Sequence, residues 1–536
     1  MVAPQNRSSR PGRSQVAWAL AVFLFLFVAY NLNGDFLPGN DAKPNVYLAL
    51  SVLDDGDLSF TPSEMPFMFA WEVSRGSDAA TIYPGSWEDR FDGATLSELR
   101  DAGRLRVASE KYYIVPSRQE GLYVPMYGPG AGLTALPGFA IARMLFGDLG
   151  DRPAVLWYTA KVIASILVAG SAAFLFLTLH EYVTRGGAAL LTLAYGLGTG
   201  AWSTSSQTLW QHGPNVFFLS VGTYLFVRCR PGSTATFGCG LAYACATLCR
   251  PDSALVVVAA GAYLLFASRR LVLPFILGSS GPLVMLAAFN LRHFGSPFRF
   301  GQTVRGLAEA VAITGTPGAW STPVAEGLGG LLVSPSRGLW VFSPYLAFAA
   351  WGIVLIWREP SLVKLRPLTV ATVASLLLSA KWYYWWGGWS FGYRLIVDLT
   401  LLLTLFVAPT TSTILRRTWM LAGFTTLVAW SVAVQFVGAF AYDLMDWNAR
   451  PADYAVQVPG RHEPEIVPDR AAAERLVQGA GGRIVGITRL DVNVPEHRHR
   501  LWSVEDNQIA HYVRNFGAAR RAKHDMMRRW LDHPGL

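Results

Sequence analysis

The stretch LWYTAKVIASILVAGSAAFLFLTL, residues 156–179, decides the fold class. It carries one charged residue, Lys161, and is longer than the roughly 20 residues that a helix needs to cross a bilayer. Because lipid offers the backbone no hydrogen-bond partners, such a segment has to be a helix. Similar apolar blocks occupy residues 18–32, 216–227, 271–291, 339–357 and 395–407. Their repetition predicts an all-α polytopic membrane protein.

The composition agrees with a chain that lies largely in lipid. Of 536 residues, 52% are hydrophobic and 15% are charged, and the formal net charge is +9. Much of the basic excess is needed to orient membrane spans, because arginine and lysine stay on the cytoplasmic side. We therefore predict membrane lipids as the surroundings and no nucleic-acid partner.

The N-terminal segment predicts how the chain enters the membrane. Arg7, Arg10 and Arg13 precede the first apolar block, and no small-residue cleavage site follows it. This pattern is typical of an uncleaved signal anchor in the inner (plasma) membrane. We predict that residues 1–15 are cytoplasmic and that the first span covers 16–32.

Basic residues in the later turns predict the number of spans. They are Arg185, Arg228, Arg230, Arg269, Arg270, Arg358, Lys364, Arg366, Arg416 and Arg417. If all of these lie inside, the intervening helices come in pairs, and about 11 transmembrane helices satisfy the pattern. The predicted spans are 16–32, 155–181, 187–203, 213–228, 234–250, 252–268, 271–291, 338–357, 367–381, 393–409 and 418–441, so that a multi-span domain covers 154–441.

Two long hydrophilic regions then lie on the extracytoplasmic side. They are the first loop, 33–153, and the C-terminal tail, 442–536, which forms a small region of its own. The apolar segment 130–147 inside the loop is short, rich in glycine and proline, and contains Arg143. We predict an interfacial or re-entrant helix there, because one more span would invert every later segment.

No residue pattern establishes a metal or a cofactor. The four cysteines fall in one membrane-associated stretch with neither a disulfide framework nor a zinc-binding spacing. Asp54, Asp55 and Asp57 are spaced like part of a cation loop but lack the remaining ligands of an EF-hand, which favours a solvated turn. A divalent cation stays open as a possible cofactor.

Asp41 is the first candidate for chemistry. It follows the first span closely, so its carboxylate is expected just above the membrane, where it can act as a general base on an acceptor hydroxyl. Lys43 is placed to tune that carboxylate. The alternative is structural: Asn40 or Asp41 before an apolar run also suits a helix N-cap.

A polar segment, residues 202–214, brings hydroxyls, the amide of Gln211 and the imidazole of His212 to the outer ends of two predicted helices. His212 is a candidate to hydrogen-bond or protonate a leaving phosphate. An interfacial turn with tryptophan anchors explains the same residues without chemistry.

Three arginines, Arg250, Arg337 and Arg394, lie at predicted outer helix ends. An arginine is costly in lipid and usually faces a cavity or a partner, and a phosphate matches its planar fork. The alternative is that these side chains reach towards lipid headgroups. Asp398, four residues after Arg394, is predicted to pair with it on a helix.

The aromatic turn 381–394 is a candidate substrate groove. Trp385, Trp386 and Trp389 stand beside glycines, a composition that suits a sugar ring or a prenyl chain. An interfacial aromatic girdle is the competing interpretation.

Several short motifs together resemble the GT-C superfamily of integral-membrane glycosyltransferases, of the protein O-mannosyltransferase and lipid A aminoarabinose transferase type. They are Gly39-Asn40-Asp41, Tyr127-Gly128-Pro129-Gly130, Leu209 to Pro214, Leu331 to Leu339 with Phe342-Ser343-Pro344, and Trp385 to Arg394. The resemblance implies a catalytic acid at Asp41, juxtamembrane helices in the first loop, Tyr127 in the substrate groove, and a polyprenyl-phosphate sugar donor held near basic residues. Ala42 stands where many relatives carry a second acid.

The sequence therefore predicts a glycosyltransferase that moves a sugar from a polyprenyl-phosphate donor to a glycan, lipid or protein acceptor outside the cytoplasm. Asp41 would be catalytic, while Arg250, Arg337, Arg394 and His212 would bind the donor phosphate. The groove would comprise Lys43, Gln211, Tyr127, Trp385, Trp386 and Trp389. The alternatives are a lipid-linked glycan flippase or transporter, a surface-polysaccharide polymerase or ligase, and a non-catalytic anchoring protein.

Overall fold

Helices make up most of the computed structural model, which describes residues 12–75, 78–231, 234–305, 318–461, 463–468 and 470–532. Arg7 and Arg10 of the predicted signal anchor lie outside the described residues. The α-helices are α1 (Arg13–Asn31), α2 (Lys43–Asp54), α3 (Leu96–Asp101), α4 (Gly130–Phe146), α5 (Pro153–Leu179), α6 (Arg185–Gly198), α7 (His212–Val227), α8 (Ala235–Cys249), α9 (Ala254–Ala267), α10 (Val272–Phe294), α11 (Val324–Val333), α12 (Leu339–Phe342), α13 (Phe348–Arg358), α14 (Arg366–Lys381), α15 (Leu399–Val407), α16 (Thr411–Arg416), α17 (Thr418–Ala441), α18 (Arg470–Ala480), α19 (Gln508–Arg514) and α20 (Phe516–Asp532).

Six helical segments of the described chain are long and apolar enough to cross a membrane. They are Arg13–Asn31, Pro153–Leu179, Arg269–Phe294, Pro360–Lys381, Leu399–Arg416 and Thr418–Ala441. Each overlaps a predicted span. The other five predicted spans coincide with shorter helices, namely α6, α7, α8, α9 and the segment Pro344–Arg358. The multi-span character is confirmed at this level, and the total of about 11 stays a prediction.

Small residues let the helices of the bundle approach closely. A Cβ atom added at Gly240 of α8 would collide with the backbone of Phe275 in α10, and one at Gly278 would collide with the backbone of Phe237. In lipid, where apolar burial gives little drive to association, such close backbone contact is a main source of stability. The longest helix, α5, lies centrally and packs against α1, α6 and α7.

The predicted cytoplasmic turns come together at one end of the bundle. Lys364 donates to the carbonyl of Val227 over 2.8 Å, and Arg228 pairs with Glu181 at 2.5 Å. Basic residues from separate turns thus lie at one end of the bundle.

Strands in both hydrophilic regions correct the all-α prediction. In the first loop, β1 (Phe69–Arg75) pairs antiparallel with β2 (Asp78–Ile82) and β5 (Leu105–Glu110). Two short hairpins complete the loop: β3 (Arg90–Phe91) with β4 (Ala94–Thr95), and β6 (Ile114–Pro116) with β7 (Tyr123–Pro125). In the tail, β8 (Ala449–Gln457) lies between β9 (Glu465–Val467) and β10 (Arg483–Asp491). Period-2 patterning in short polar strands is weak beside long apolar blocks, so hydropathy did not reveal them.

The helix predicted at 130–147 is present as α4, with Pro137 inside it. Arg143 on this helix pairs with Asp54 at the end of α2. Asp57 accepts hydrogen bonds from the hydroxyls of Ser51 and Ser59. Asp57 is therefore held by a local turn, whereas Asp54 is held by an ion pair with α4.

The C-terminal tail packs onto the ends of the membrane helices. Lys523 of α20 donates to the carbonyl of Ala439 in α17 over 2.6 Å, and His524 lies 3.1 Å from Asp35, just after α1. Trp530 packs edge-to-face on Trp157 in the first turn of α5. The tail and the first loop thus cover the same end of the bundle, opposite the basic turns.

Candidate functional site

A partly open cavity of about 400 Å³ lies at this covered end of the bundle. Its volume falls in the range of pockets that hold small ligands. It is lined by residues from seven separate parts of the chain, namely Asp41, Tyr113, Met126, Tyr127, Gln211, His212, Arg250, Asp252, Gln302, Trp320, Leu378, Ser379, Trp382, Tyr383, Tyr384, Gly387, Arg394 and Leu395.

Asp41 is a buried carboxylate held from two sides. The indole Nε1 of Trp210 donates to Oδ1 over 2.5 Å, and Nη1 of Arg394 lies 2.8 Å from Oδ2. Ala42, not Asp41, is the N-cap of α2, and no side chain caps that helix end. The structural alternative for this carboxylate is therefore wrong, and Asp41 faces the cavity.

Gly39 allows Trp210 to reach Asp41. A Cβ atom at position 39 would lie 2.7 Å from Nε1 of Trp210, a distance at which something has to shift. The short loop before α2 and the polar segment before α7 are thus packed directly on each other. Neither the predicted role of Trp210 as an interfacial anchor nor its place in the Leu209 to Pro214 motif indicated this contact with the carboxylate.

Arg394 combines three contacts at the cavity wall. Besides the ion pair with Asp41, Nη2 donates to the carbonyl of Gly387 over 3.1 Å, and the guanidinium lies 4.9 Å from the ring centre of Trp210. A guanidinium has five N–H donors in a fixed fork, so these contacts leave it able to meet a further acceptor.

The predicted pair between Arg394 and Asp398 is wrong. Residues 394–396 form a 3-10 turn before α15, so the two side chains do not stack as on a regular α-helix. Asp398 instead accepts from Nη1 of Arg250 over 2.5 Å and lies 3.0 Å from Nδ1 of His212. Asp252 adds a second carboxylate to Arg250, 3.2 Å from its Nε.

Arg250 is consequently balanced by two carboxylates, whereas Arg394 is balanced by one. Nδ1 of His212 lies 3.0 Å from Oδ2 of Asp398 and 2.8 Å from Nη1 of Arg250, which donates towards it. These buried side chains form a network that also places Arg250 near the carbonyl of Leu395. Buried charges need opposite charges beside them, because an unpaired one would be strongly destabilising.

Gln211 and Tyr127, both predicted for the substrate groove, line the cavity. Within the described part of the chain, the buried Oε1 of Gln211 has no hydrogen-bond partner. A buried polar atom without a partner is costly, so it marks a position where a bound molecule would be favoured.

Arg337 lies outside the cavity lining, contrary to the prediction of a phosphate contact. Its Nε donates to Trp386, one Nη to Gly388 and Asn448, and the other to Ser336 and Gln508. The guanidinium thus joins the membrane domain to the tail. Sequence alone does not distinguish an arginine that meets backbone carbonyls from one that meets a phosphate.

The aromatic turn divides between two surfaces. Trp385, Trp386 and Trp389 point away from the cavity and donate to Glu326, Asn493 and Asp491, respectively. Gly387 and Gly388, which separate Trp386 from Trp389, both have positive φ, of 71° and 68°. The cavity wall is built instead from the preceding residues, Trp382, Tyr383 and Tyr384, together with Trp320.

Lys43 also differs from its predicted place in the groove. Its ammonium lies 3.7 Å from the ring centre of Tyr112 and 3.9 Å from that of Trp530, and the side chain is fully buried. Burial holds the pKa of Lys43 well below its ordinary value. The residue links α2 to the last helix of the tail and does not line the cavity.

Arg305 is a further cation near the cavity that the sequence analysis did not single out. Its guanidinium lies 5.1 Å from the ring centre of Tyr113, a lining residue. Because Arg305 lies in a helical stretch after α10, distant in sequence from Tyr113, only the folded chain shows this proximity.

Comparison with known proteins adds no relative to this picture. Neither a protein-family model nor a curated protein sequence matches the chain. Among the described residues, no group of three or more histidine, cysteine, aspartate or glutamate side chains is arranged to hold a metal ion. What the site offers chemically is an oriented carboxylate beside an arginine, a second ionic network and an aromatic wall.

Proposed function

We propose that this protein is a membrane glycosyltransferase that uses a polyprenyl-phosphate sugar donor, in the manner of the GT-C superfamily. The proposal rests on one observation: the buried carboxylate of Asp41 is 2.8 Å from the guanidinium of Arg394 in a cavity of about 400 Å³. A base and a phosphate-binding cation side by side are what transfer from a sugar phosphate to a hydroxyl requires.

The cavity would receive the head of the donor. A polyprenyl chain would stay in the lipid while its sugar and phosphate enter at the covered end of the bundle. Arg394 is the better candidate for the phosphate than Arg250, because Arg250 already faces both Asp252 and Asp398. Tyr383 and Tyr384 provide faces against which a sugar ring can pack.

The reaction would proceed in one balanced displacement. Asp41 takes the proton of the acceptor hydroxyl as that oxygen bonds to the anomeric carbon. The bond from the anomeric carbon to the phosphate oxygen breaks, and its electron pair leaves with the polyprenyl phosphate. Arg394 stabilises the charge that develops on this leaving group, in a site with little water.

The proposed topology has about 11 spans, a cytoplasmic N-terminus and the cavity on the extracytoplasmic side. Two observations support it. Asp41, His212, Arg250 and Arg394, all assigned to outer helix ends, line one cavity. Basic turns represented by Lys364 and Arg228 gather at the other end, as the positive-inside rule requires of cytoplasmic loops.

The test is sugar transfer by the full-length protein in proteoliposomes, with a panel of radiolabelled polyprenyl-phosphate hexoses and pentoses. Asp41→Asn should lower turnover by about 10²–10⁴. Asp57→Asn is the matched control, since that carboxylate belongs to a local turn with Ser51 and Ser59. Equal turnover of Asp41→Asn and wild type would defeat the proposal, and so would movement of the donors across the bilayer without conversion.

A further inference from the structure

The last helix, α20, carries a strongly basic face at the membrane end of the tail. Its buried side is formed by Ala519, Lys523, Met527 and Trp530. Its exposed residues include four arginines, with a fifth on the helix before it: Arg520, Arg521, Arg528 and Arg529, and Arg514 of α19. Against them α20 exposes two acids, Asp525 and Asp532. The helix is thus amphipathic and its outer face is cationic.

Contacts at both ends of α20 fix its height relative to the membrane helices. At its start, Phe516 stacks on Phe436 of α17, with ring centres 5.9 Å apart. Phe436 is exposed on that helix and lies more than one turn before it ends at Ala441. Towards the end of α20, Met527 meets the hydroxyl of Tyr158 in α5. Helix α20 therefore lies across the ends of α17 and α5, at the level of their terminal turns.

An apolar groove opens beside this helix. It lies between α4 and α5, has a volume of about 560 Å³ and is lined by residues that include Gly138, Ile141, Val162 and Ile166. Tyr158, which contacts Met527 of α20, is part of the same lining. The neighbouring side chains Met144 and Leu145 of α4 are exposed, as residues facing lipid would be.

We propose that α20 and the α4–α5 groove form a binding surface for an acidic phospholipid. The exposed arginines take the phosphate headgroup, and the groove takes an acyl chain. Charge complementarity carries this assignment, because arginines at an interface are attracted to anionic headgroups and bond to phosphate through a planar fork. The surface is separate from the cavity that contains Asp41, so it does not depend on the proposed transfer reaction.

The binding would hold the tail against the membrane. Lys523 and Trp530 attach the inner side of α20 to the helix bundle and to Lys43. A phosphate headgroup bound to the exposed arginines would then also hold α20 on its outer side. Acidic lipid should consequently stabilise the folded protein more than zwitterionic lipid does.

The test uses purified full-length protein in detergent, titrated with phosphatidylglycerol or phosphatidylcholine, and measures lipid retention by native mass spectrometry together with the melting temperature. The variant replaces Arg520, Arg521, Arg528 and Arg529 with glutamine. The control removes the same charge from Arg90, Arg104, Arg475 and Arg483, exposed residues of the two sheet regions.

Wild type and control should retain phosphatidylglycerol in preference to phosphatidylcholine, and the α20 variant should retain it at least about tenfold more weakly. Undiminished retention by the α20 variant, or equal retention of both lipids by wild type, would overturn the proposal. If the α20 variant fails to fold, the proposal is tested by the salt dependence of phosphatidylglycerol retention by the wild-type protein. Retention that falls steeply as salt rises supports the proposal, and retention insensitive to salt contradicts it.

Discussion

Nη1 of Arg394 lies 2.8 Å from Oδ2 of Asp41, although Asp41 precedes α2 and Arg394 ends the aromatic turn more than 350 residues later. The same aspartate accepts a hydrogen bond from Trp210 on its other oxygen. With both oxygens held, the carboxylate has a defined direction towards the cavity. A side chain that is already oriented loses little conformational entropy when a substrate binds, so less of the binding free energy is needed to position it.

Removing the indole N–H at Trp210 should weaken activity without unfolding the protein. Trp210→Phe keeps an aromatic ring under Arg394 but deletes the bond to Asp41. We expect transfer to fall about 10- to 150-fold, since a hydrogen bond to a charged group contributes about 1.5–3 kcal/mol. The measurement is kcat/KM for sugar transfer together with the melting temperature.

The control for Trp210→Phe is Trp430→Phe, which deletes a bond from the indole to the carbonyl of Val341, far along α17 from the cavity. Equal kcat/KM values for the two variants and wild type would mean that the bond to Asp41 has no part in positioning it.

Gly39 should tolerate no side chain. Gly39→Ala puts a Cβ atom 2.7 Å from Nε1 of Trp210, and either the loop or the indole has to move. Overpacking of this kind costs about 1–3 kcal/mol, and displacement of the indole also disturbs Asp41. We expect a lower melting temperature and lower transfer together. Gly423→Ala is the comparison, because a Cβ atom there meets nothing within 4 Å; similar behaviour of both variants would contradict the steric argument.

Arg337 should matter for the tail and not for the donor. Arg337→Gln removes most of the donors that reach Trp386, Gly388 and Asn448, leaving buried acceptors without partners. The expected loss of stability is about 1–3 kcal/mol for each acceptor left without a partner. Limited proteolysis should release the tail more readily, while KM for the donor stays within about twofold in the protein that remains folded.

A large rise of that KM with an unchanged melting temperature would instead support the direct phosphate contact predicted from sequence. Arg358→Gln, which changes an exposed arginine at the end of α13, is the control and should leave both measurements unchanged.

The attachment of the tail should depend on pH through Asp443. Burial raises the pKa of the Asp443 carboxyl to about 6, and Asp446 nearby acts in the same direction. Its folded-state pKa exceeds the ordinary value of about 3.9, so the folded protein binds the proton more tightly. Stability should therefore fall as pH rises from about 4 to about 6, by about 2–3 kcal/mol.

Asp443→Asn should remove that slope, measured as the difference between variant and wild-type unfolding free energies at several pH values. Lys523, which also feels Asp443, has a pKa lowered to about 8 by burial, so it stays protonated in both states below pH 7. Lys523 therefore adds no pH dependence of the unfolding free energy between about pH 4 and about pH 6. A constant difference between variant and wild type from pH 4 to 7 would refute the assignment to Asp443.

The sequence by itself determined which apolar segments form long helices. The apolar block at 156–179 became the central helix α5, and each of the six span-length segments overlaps a predicted span. Hydropathy works here because an unsatisfied backbone in lipid forces each such block into a helix regardless of its neighbours. The pattern of basic turns also predicted Asp41, His212, Arg250 and Arg394 at outer helix ends, and these four residues line one cavity.

Only the tertiary structure decided which charges meet. Arg394 pairs with Asp41 and not with Asp398, Arg337 binds the tail, and Trp385 donates to Glu326 outside the cavity. The guanidinium of an arginine has the same donor geometry at every position in the chain. Which acceptor it meets depends on packing between segments that are distant in sequence. That packing also brings Trp210 against the carboxylate, a contact that no local pattern encodes.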